Sequence, residues 1–347
     1  MGILSRIRYA SETMSRLGMA SRQTPIRSPW ASTDLSKIVW SDVFGQDAPL
    51  VISRAEAMRV PAIAKGRAVI CGILSRQPLA KWRNATRVAS EQWMIRNSGD
   101  VSPQTRMLWT LDDLIFSGVS LWALERDTAG HVTDAARVPP EWWQIDDDLN
   151  ITVLGEQAPA DQVCYFEGPQ EGLTTIAADT IRGALAIESA WQERVKSPVP
   201  IMELHSTDAN ADLTQEEAND TVDAWEKARR GGGTAYTPSS ISLNIPDSTA
   251  DPQLFIEGRN AVRLDVANFL NLPAQLLEGS TATASLTYST QEGTRNELID
   301  LSLNYWMTPI EQRLSMDDMV PKGSSVQFDV EFLATPTQPT KGPNVED

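Results

Sequence analysis

The residues that could support catalysis or metal binding are few and widely separated in this 347-residue chain. His131 and His205 are the only histidines, and neither has a Cys, Ser or carboxylate at a spacing that suggests a nucleophilic triad. Cys71 and Cys164 are the only cysteines, which argues against a disulfide framework and a structural zinc site. We therefore expect surface histidines, buried thiols, and neither a catalytic centre nor a cofactor.

Carboxylates and glycines offer two further candidates. Asp146-Asp-Asp148 and Asp317-Asp318 could hold a cation, but oxygen-ligand sites need several converging groups, and solvated turns explain both runs more simply. Gly231-Gly-Gly233 lacks the lysine with which a P-loop reaches a phosphate, and no complete P-loop motif occurs in the chain. The glycine run is more typical of a helix end or a loop tip.

Composition bounds the class of protein. With 41% apolar and 22% charged residues the chain falls in the ordinary soluble range, and no window approaches 18 consecutive apolar residues, so we expect no membrane contact. Residues 1–29 carry five arginines against one glutamate, which predicts a flexible basic arm over residues 1–50. Since the net charge is −16 overall and +4 for residues 1–29, the rest carries −20 and should not bind nucleic acid tightly.

Residues 51–171 predict a lobe of helices and short strands. Ser53 and Glu56 form a capping box that opens a helix. The inward face of that helix is expected to carry Ala62, Gly66, Val69, Ile70 and Ile73. A further helix is predicted over 103–117, and a meander of strands over 122–127, 142–146, 151–154 and 163–166. Helices and strands together indicate an α+β fold.

Two long helices are predicted on either side of a small β-α-β unit. The first runs from Gly172 to about Lys196, and the second from the cap at Asp251-Pro252 to about Leu270, with Gly258 and Ala261 allowing a neighbour to approach closely. Between them, the sequence predicts a strand over 200–205, a helix capped by Thr214-Gln-Glu-Glu217 and ending near Arg230, and strands over 234–238 and 241–245.

The residues after the second long helix change character twice. Glu278-Gly-Ser-Thr-Ala-Thr-Ala-Ser285 is too small and polar to bury anything, which predicts an exposed loop. One helix over 288–315, about 42 Å long at ~1.5 Å per residue, follows. Pro309 should bend it, or divide it into two helices that meet at Met307 to Pro309. The alternating strand over 325–333 could then close a sheet edge.

Seven short segments, taken in their order, carry a family resemblance. Three lie in the last third of the chain: Leu270-Asn-Leu-Pro-Ala-Gln-Leu-Leu277, Ser285-Leu-Thr-Tyr-Ser-Thr-Gln-Glu292 and Trp306-Met-Thr-Pro-Ile-Glu311. Four lie upstream: Pro61-Ala-Ile-Ala-Lys-Gly-Arg-Ala-Val-Ile70, Gln77-Pro-Leu79, Leu114-Ile-Phe-Ser-Gly118 and Trp122-Ala-Leu-Glu-Arg-Asp127. In this order they resemble the stem-end, tunnel-loop, tunnel-helix and wing segments of HK97-type portal proteins of tailed bacteriophages.

The resemblance implies a portal fold and a division of the chain. The implied parts are a wing over 51–171, a first stem helix over 172–197, a clip over 198–247, a second stem helix over 251–272, a tunnel loop over 273–287, a kinked tunnel helix over 288–315, a C-terminal strand returning to the wing over 316–333 and a disordered tail over 334–347. Little sequence remains for a crown, so the crown is reduced or absent.

The resemblance also implies a function and partners. It implies a homo-oligomeric ring, typically of twelve copies, assembled in the host bacterial cytoplasm and located at one capsid vertex of the virion. Terminase would package double-stranded DNA through the ring, and the genome would later be ejected. The implied partners are the major capsid protein, the terminase large subunit, a head-tail adaptor and DNA, which is contacted transiently and without sequence specificity.

Three groups of site residues follow from the resemblance. The DNA-channel loop would contain Gly279, Ser280, Thr281, Thr283 and Ser285. Arg259 and Arg263 would be lumen-facing cations, or else would form intersubunit salt bridges with Glu257 or Asp265 of a neighbour. The partner-binding surface of the clip would contain Glu203, His205, Lys227, Arg229 and Arg230.

Two other classes stay open from the sequence alone. One is another virion structural protein, such as a head-tail adaptor, against which the chain length and the long final helix argue. The other is a hydrolase whose carboxylates meet only in space. The strong negative charge discriminates poorly, because it suits a DNA channel that must not grip its duplex and also any soluble acidic protein.

Overall fold

The computed structural model describes residues 2–7, 52–146, 150–196, 203–206, 214–230, 241–244, 252–277 and 296–330. The chain divides into two compact units, which we name the core unit (Met1–Leu185 and Asn260–Asp347) and the small unit (Ala186–Arg259). Within the described ranges, no helix combines the length and apolarity that crossing a membrane requires.

The described helices and strands alternate along most of the chain. The helices are α1 (3–7), α2 (Arg54–Ala57), α3 (Pro61–Leu74), α4 (Gln92–Ile95), α5 (Pro103–Ser117), α6 (Leu173–Ile176), α7 (Ala178–Lys196), α8 (Gln215–Arg230), α9 (Pro252–Leu270) and α10 (Asn304–Leu314), with a π-helical segment at Leu298–Leu303. The strands are β1 (Leu79–Arg83), β2 (Thr86–Val88), β3 (Val119–Arg126), β4 (Val132–Val138), β5 (Trp143–Ile145), β6 (Ile151–Val153), β7 (Glu156–Gln157), β8 (Val163–Glu167), β9 (Glu203–Ser206), β10 (Ile241–Asn244) and β11 (Ser324–Phe328).

The strands of the described ranges form four small antiparallel sheets. Their strand orders are β11-β1-β2, β4-β3-β8, β5-β6-β7 and β10-β9. The single meander predicted for residues 122–166 is therefore wrong, since β3 pairs with both β4 and β8 while β5, β6 and β7 form a separate sheet. The strand predicted over 325–333 is shorter in the structure, where β11 ends at Phe328, and it forms the edge of its sheet against β1, with Leu79 opposite Phe328.

Strand β4 was missing from the prediction for a physical reason. Its polar residues Asp134 and Arg137 are buried, which hides the alternation that identifies a half-buried strand. Asp134 accepts a hydrogen bond from the Ser98 hydroxyl, and Arg137 Nε donates to Asp113 Oδ2 at 2.8 Å. Burial of these groups requires partners from elsewhere in the chain, and such partners leave no local sequence pattern.

Two predicted helices are each divided in the structure. The Ser53–Glu56 capping box is confirmed, but the helix it opens ends at Ala57, and α3 begins anew at Pro61, whose missing N–H costs nothing at a first helical position. The helix predicted from Gly172 is interrupted at Ala177, between α6 and α7. Gly172 allows the tight approach before α6, since a Cβ there would lie 2.1 Å from the Phe116 carbonyl oxygen.

The final helix also differs from its prediction. Among the described residues it begins at 296, passes through the π-helical segment and continues as α10 to Leu314. Residues 307–309 are helical throughout, so the chain does not divide into two helices there. A bend at Pro309 stays a prediction.

The core of the core unit surrounds α5. This helix was predicted with its observed bounds, and Ser102 caps it by accepting a hydrogen bond from the Thr105 amide. The rings of Trp93, Trp122 and Trp306 are fully buried in the same cluster. Arg106 is also buried, with its guanidinium 4.4 Å from the Trp122 ring centroid, and burial lowers its pKa to about 10.

Candidate channel frame and partner-binding surface

The predicted DNA-channel residues Gly279, Ser280, Thr281, Thr283 and Ser285 lie outside the described residues, in the interval 278–295. The structure does describe the segments on both sides of this interval. We call these two segments, 266–277 and 296–306, the frame. The geometry of the frame decides how the interval between them is held.

The first frame segment ends α9 in a tightly packed position. Val266, Ala267 and Leu270 are buried, whereas Ala261, which was predicted to face a neighbour closely, is exposed. Val262 and Phe269 also pack against this core, so the described packing of α9 extends through its second half. A Cβ at Gly66 of α3 would lie 2.3 Å from Leu270 Cδ1, so a larger residue there would force the buried Leu270 side chain to move.

A left-handed residue turns the chain at the end of α9. Asn271 has a φ of +52°, and the Leu272 amide donates to the Ala267 carbonyl at 2.9 Å, which is the hydrogen bond of a Schellman motif. The chain then runs through a 3-10 turn to Leu277, which is buried. The interval 278–295 therefore begins at a residue anchored in the core.

The second frame segment is bonded directly to the first. Trp306 Nε1 donates to the Leu270 carbonyl at 3.0 Å, and Asn271 Nδ2 donates to the Leu301 carbonyl at 2.9 Å. Ser302 and Leu303 are buried. Leu277 is buried directly before the interval, whereas after it the residues up to Leu301 are exposed or partly exposed and burial begins at Ser302. The core therefore holds the chain immediately before the interval and several residues after it.

Gln170, which lies outside the frame, bonds to both of its segments. Gln170 Nε2 donates to the Phe269 carbonyl at 2.6 Å, and the Tyr305 hydroxyl lies 3.1 Å from Gln170 Oε1. The Tyr305 hydroxyl donates this hydrogen bond, and burial raises its pKa further above the ordinary value of 10.0. Sequence analysis missed Gln170 and Asn271. The position of an asparagine just after a helix end could have indicated Asn271, but nothing local indicates Gln170.

Arg259 lies in the small unit and has partners in its own chain. It forms an ion pair with Glu188, and its guanidinium lies 4.3 Å from the Trp191 ring centroid. At the preceding residue, a Cβ on Gly258 would lie 3.3 Å from Ile187 Cδ1. Helices α7 and α9 therefore approach each other closely at Gly258, as predicted from the small size of this residue. Arg263, in the core unit, donates from Nη1 to Asn260 Oδ1 at 2.8 Å.

The residues predicted for the clip surface lie on two elements of the small unit. Glu203 and His205 lie two residues apart on β9, and therefore on one face of the β9–β10 pair, opposite Asn244 and Ser242. Lys227 is exposed in α8, and Arg229 and Arg230 end that helix. The structure does not bring these two groups into a described contact.

Helix α8 carries opposite charges at its two ends. Thr214 and Glu217 form the predicted capping box, with the Thr214 amide 3.0 Å from Glu217 Oε2, and this hydrogen bond lowers the pKa of Glu217. Exposed carboxylates follow in the first half of the helix, at Glu216, Asp220 and Asp223. The basic residues occupy the last turn. Both ends therefore complement the helix dipole.

The other candidates from sequence have structural roles. His131 is exposed, as predicted, with Nδ1 3.4 Å from Asp127 Oδ2. Cys71 and Cys164 are free and fully buried, as predicted, and burial raises the pKa of each thiol to about 12. In the candidate carboxylate pair Asp317-Asp318, Asp318 Oδ2 forms an ion pair with Arg313 Nη2 at 2.9 Å. Among the described residues, no group of three or more His, Cys, Asp or Glu could hold a metal ion.

Comparison with known proteins identifies the class. The family model described as phage portal protein matches residues 79–340, most of the chain. This chain is therefore a virion structural protein, and the hydrolase alternative is wrong. It belongs to the phage portal protein family.

Solved structures agree with the family assignment. The crystal structure of an HK97 family phage portal protein from Corynebacterium diphtheriae is 30% identical, with a TM-score of 0.66, over 83% of this chain and 99% of that chain. Neck structures of gene transfer agent (GTA) particles are 14% identical over 84% of this chain and 89% of theirs, with TM-scores of 0.58 for an empty particle computed with C6 symmetry and 0.57 for a native one with C12 symmetry. At this identity the GTA matches show a shared fold. No protein with a curated description is significantly similar to this chain.

Proposed function

We propose that this chain forms the ring at one capsid vertex through which terminase packages double-stranded DNA, through which the genome leaves, and to which head-tail adaptors attach. The observation that carries the proposal is the match to the HK97 family portal, which extends over 99% of that chain at 30% identity. The C12 symmetry of a GTA neck with the same fold supports a ring of twelve copies. Such a ring assembles in the bacterial cytoplasm and contacts the major capsid protein.

We assign the channel constriction to the loop that the frame holds. Gly279, Ser280, Thr281, Thr283 and Ser285 would present small hydroxyl and backbone groups to the duplex. Contacts of this kind are weak, and the acidic charge of the rest of the chain keeps counterion-driven binding low. The wall therefore lets DNA slide.

Arg263 is the stronger of the two candidate lumen cations. Its described partner, Asn260, is a neutral amide, so the field of the guanidinium is not cancelled by that contact. Arg259 is paired with Glu188, which reduces its attraction for phosphate. An intersubunit salt bridge of Arg263 with Glu257 or Asp265 of a neighbour is the alternative. It would show as loss of ring stability in Arg263→Gln.

The clip surface is tested by charge reversal. We expect Arg229→Glu with Arg230→Glu to weaken docking of terminase and of the adaptor by at least about tenfold while rings still assemble, because like charges disfavour the encounter and the contact. Docking is measured by surface plasmon resonance on purified rings, and packaging by the DNA protected from nuclease.

A matched control changes the charge by the same amount elsewhere. Arg76 and Lys322 are exposed residues of the core unit, and Arg76→Glu with Lys322→Glu should leave docking and packaging as in the wild type. Equal packaging by the clip variant and the wild type would exclude Arg229 and Arg230 from the docking surface. Substitutions at Glu203 and His205 then locate the rest of that surface.

A further inference from the structure

A cavity of about 390 Å³ opens in the core unit beside the start of α5. Its wall is formed by the residues after α3, the start of β1, α4 and the first turns of α5. The volume falls within the range of ligand pockets in folded proteins. None of the twelve described residues that line it is Asp or Glu, although these two types make up 46 of the 347 residues of the chain. An acidic ligand therefore meets no carboxylate on the described wall of this cavity.

One residue of the wall is a buried cation. Arg106 is 1% exposed, and although burial lowers its pKa to about 10, the guanidinium stays charged at neutral pH. Its Nη1 donates to Asn97 Oδ1 at 2.7 Å and to the Ala135 carbonyl at 2.6 Å, and its Nη2 donates to the Trp93 carbonyl at 2.8 Å. These acceptors are neutral, and Nε has no described partner. The field of Asp134 reaches the guanidinium, but that carboxylate does not line the cavity. The buried charge is therefore only partly compensated, and it attracts an anion in the cavity.

The first turn of α5 adds a positive potential to the same wall. Ser102, Pro103 and Gln104 line the cavity. The Ser102 hydroxyl accepts from the Thr105 amide at 3.1 Å, whereas the Gln104 amide, at the second helical position, has no acceptor within the helix. The N-terminus of this 15-residue helix carries a partial positive charge. Helix end and buried guanidinium therefore both favour a carboxylate.

The exposed part of the lining is apolar. Ile95 is 67% exposed, and Met94, Met107 and Pro103 line the cavity with it. Arginine and methionine are enriched where proteins bind one another, and the unbranched methionine side chain adapts to the shape of a partner. A lone inorganic anion would leave Ile95 in water, whereas a peptide with an apolar side chain beside its carboxylate would cover it. The lining therefore fits a peptide better than a small ion.

We propose that this cavity, which we call the α5 cavity, binds a short acidic segment of a partner protein. A Glu or Asp carboxylate of that segment lies toward Arg106 and the first turn of α5, and an adjacent apolar side chain covers Ile95. All lining residues belong to the core unit of one chain, so binding does not depend on ring assembly and is separate from the clip surface. Arg76 also lines the cavity, but it is exposed, and water and salt screen its charge.

The test is saturation-transfer difference NMR on the purified chain with two capped tetrapeptides, acetyl-Leu-Glu-Asp-Leu-amide and acetyl-Leu-Gln-Asn-Leu-amide. We expect the acidic peptide to bind through its leucine methyl groups and its carboxylates, and the neutral peptide to bind at least about tenfold more weakly. Glutarate, a dicarboxylate without an apolar side chain, should compete poorly. Equal affinity for the two peptides, absence of binding by the acidic one, or displacement of it by an equal concentration of glutarate would each overturn the proposal.

Substitutions at exposed lining residues locate the bound peptide. Gln104→Glu adds a negative charge in the first turn of α5, where a carboxylate suits the helix dipole, so the variant should fold. It should weaken binding of the acidic peptide at least about fivefold, because like charges repel. Gln312→Glu makes the same change at an exposed position of α10 that does not line the cavity, and should leave the affinity unchanged. Ile95→Ser should reduce the saturation of the leucine methyl groups. Binding by Gln104→Glu as tight as by the wild type would place the peptide elsewhere and overturn the proposal.

Discussion

In the core unit, α5 is buried along most of its length and three tryptophans are fully enclosed, whereas in the small unit no residue whose burial the structure describes is buried. The apolar residues of the small unit are instead partly or largely exposed, with Trp191 at 37%, Val222 at 46% and Ile256 at 60%. Among the residues whose burial is described, those of the core unit thus contribute far more apolar burial than those of the small unit.

The function proposed above assigns different tasks to the two units. It gives the channel loop to the core unit, where Leu277 and Ser302 are buried on either side of the undescribed interval. It gives the partner surface to the small unit, where the described residues of α8 include exposed polar and apolar side chains. The comparison predicts that substitutions in the core unit change the free energy of unfolding, while those in the small unit mainly change assembly and docking.

The largest effect is expected from removing a buried tryptophan. Trp306→Ala removes a fully buried ring and the hydrogen bond to the Leu270 carbonyl, so it should cost about 3–5 kcal/mol. Trp191→Ala removes a partly exposed ring and its contact with Arg259, and should cost about 1 kcal/mol or less. Urea unfolding of the two variants gives both values. Similar losses of unfolding free energy in Trp306→Ala and Trp191→Ala would contradict the difference described between the core unit and the small unit.

A smaller effect is expected at a helix contact of the frame. Gly66→Ala places a methyl group 2.3 Å from Leu270 Cδ1 and should cost about 1–3 kcal/mol. Gly72→Ala, on the same helix with nothing within 4 Å, should stabilise by up to ~1 kcal/mol through helix propensity. The midpoint of thermal unfolding should therefore fall in Gly66→Ala and rise in Gly72→Ala. A rise in Gly66→Ala would contradict the packing described for α3 and α9.

In the small unit, Glu188→Gln should cost at most about 1 kcal/mol. The Arg259–Glu188 pair is 35% exposed on each side, and exposed ion pairs are weakened by water. As a control in the core unit, Asp179→Asn breaks the Arg182 ion pair, whose carboxylate is 99% exposed, and should have a smaller effect. Urea unfolding at low and high salt checks both. A loss of several kcal/mol in Glu188→Gln would show that this part of the small unit has a cohesive interior.

The smallest effect depends on pH. Burial raises the pKa of Glu311 in the folded state, and the Phe328 amide, 2.8 Å from Oε1, opposes this. Because the pKa of Glu311 is raised in the folded state, its contribution to the free energy of unfolding is fully present below the ordinary pKa of 4.5. That contribution is lost as the pH rises through the folded-state pKa. Glu311→Gln should therefore gain stability relative to the wild type between pH 4 and 7, measured by urea unfolding. A difference that is independent of pH would contradict this.

Local patterns predicted some elements well. The bounds of α5 follow from its cap at Ser102 and its Pro103 start, and the capping boxes at Ser53 and Thr214 are both present. These features depend on residues three or four positions apart. The order of segments also predicted the family, which the match of the phage portal family model to residues 79–340 confirms.

Contacts between distant residues were not predictable in this way. The burial of Asp134 and Arg137 in β4 depends on Ser98 and Asp113, and the frame depends on Gln170 meeting Phe269 and Tyr305. The packing of α1, at the start of the arm predicted to be flexible, likewise depends on residues more than 110 positions away, such as Leu121. Of the predicted site residues, the channel loop lies outside the described ranges, and the roles of Arg259, Arg263 and the clip surface stay predictions.

The most direct test of the central claim is the mass and symmetry of the purified assembly, by native mass spectrometry together with averaged electron micrographs. We predict closed rings of about twelve subunits with a central hole wide enough for a DNA duplex. A compact monomer or dimer under every assembly condition would contradict the account.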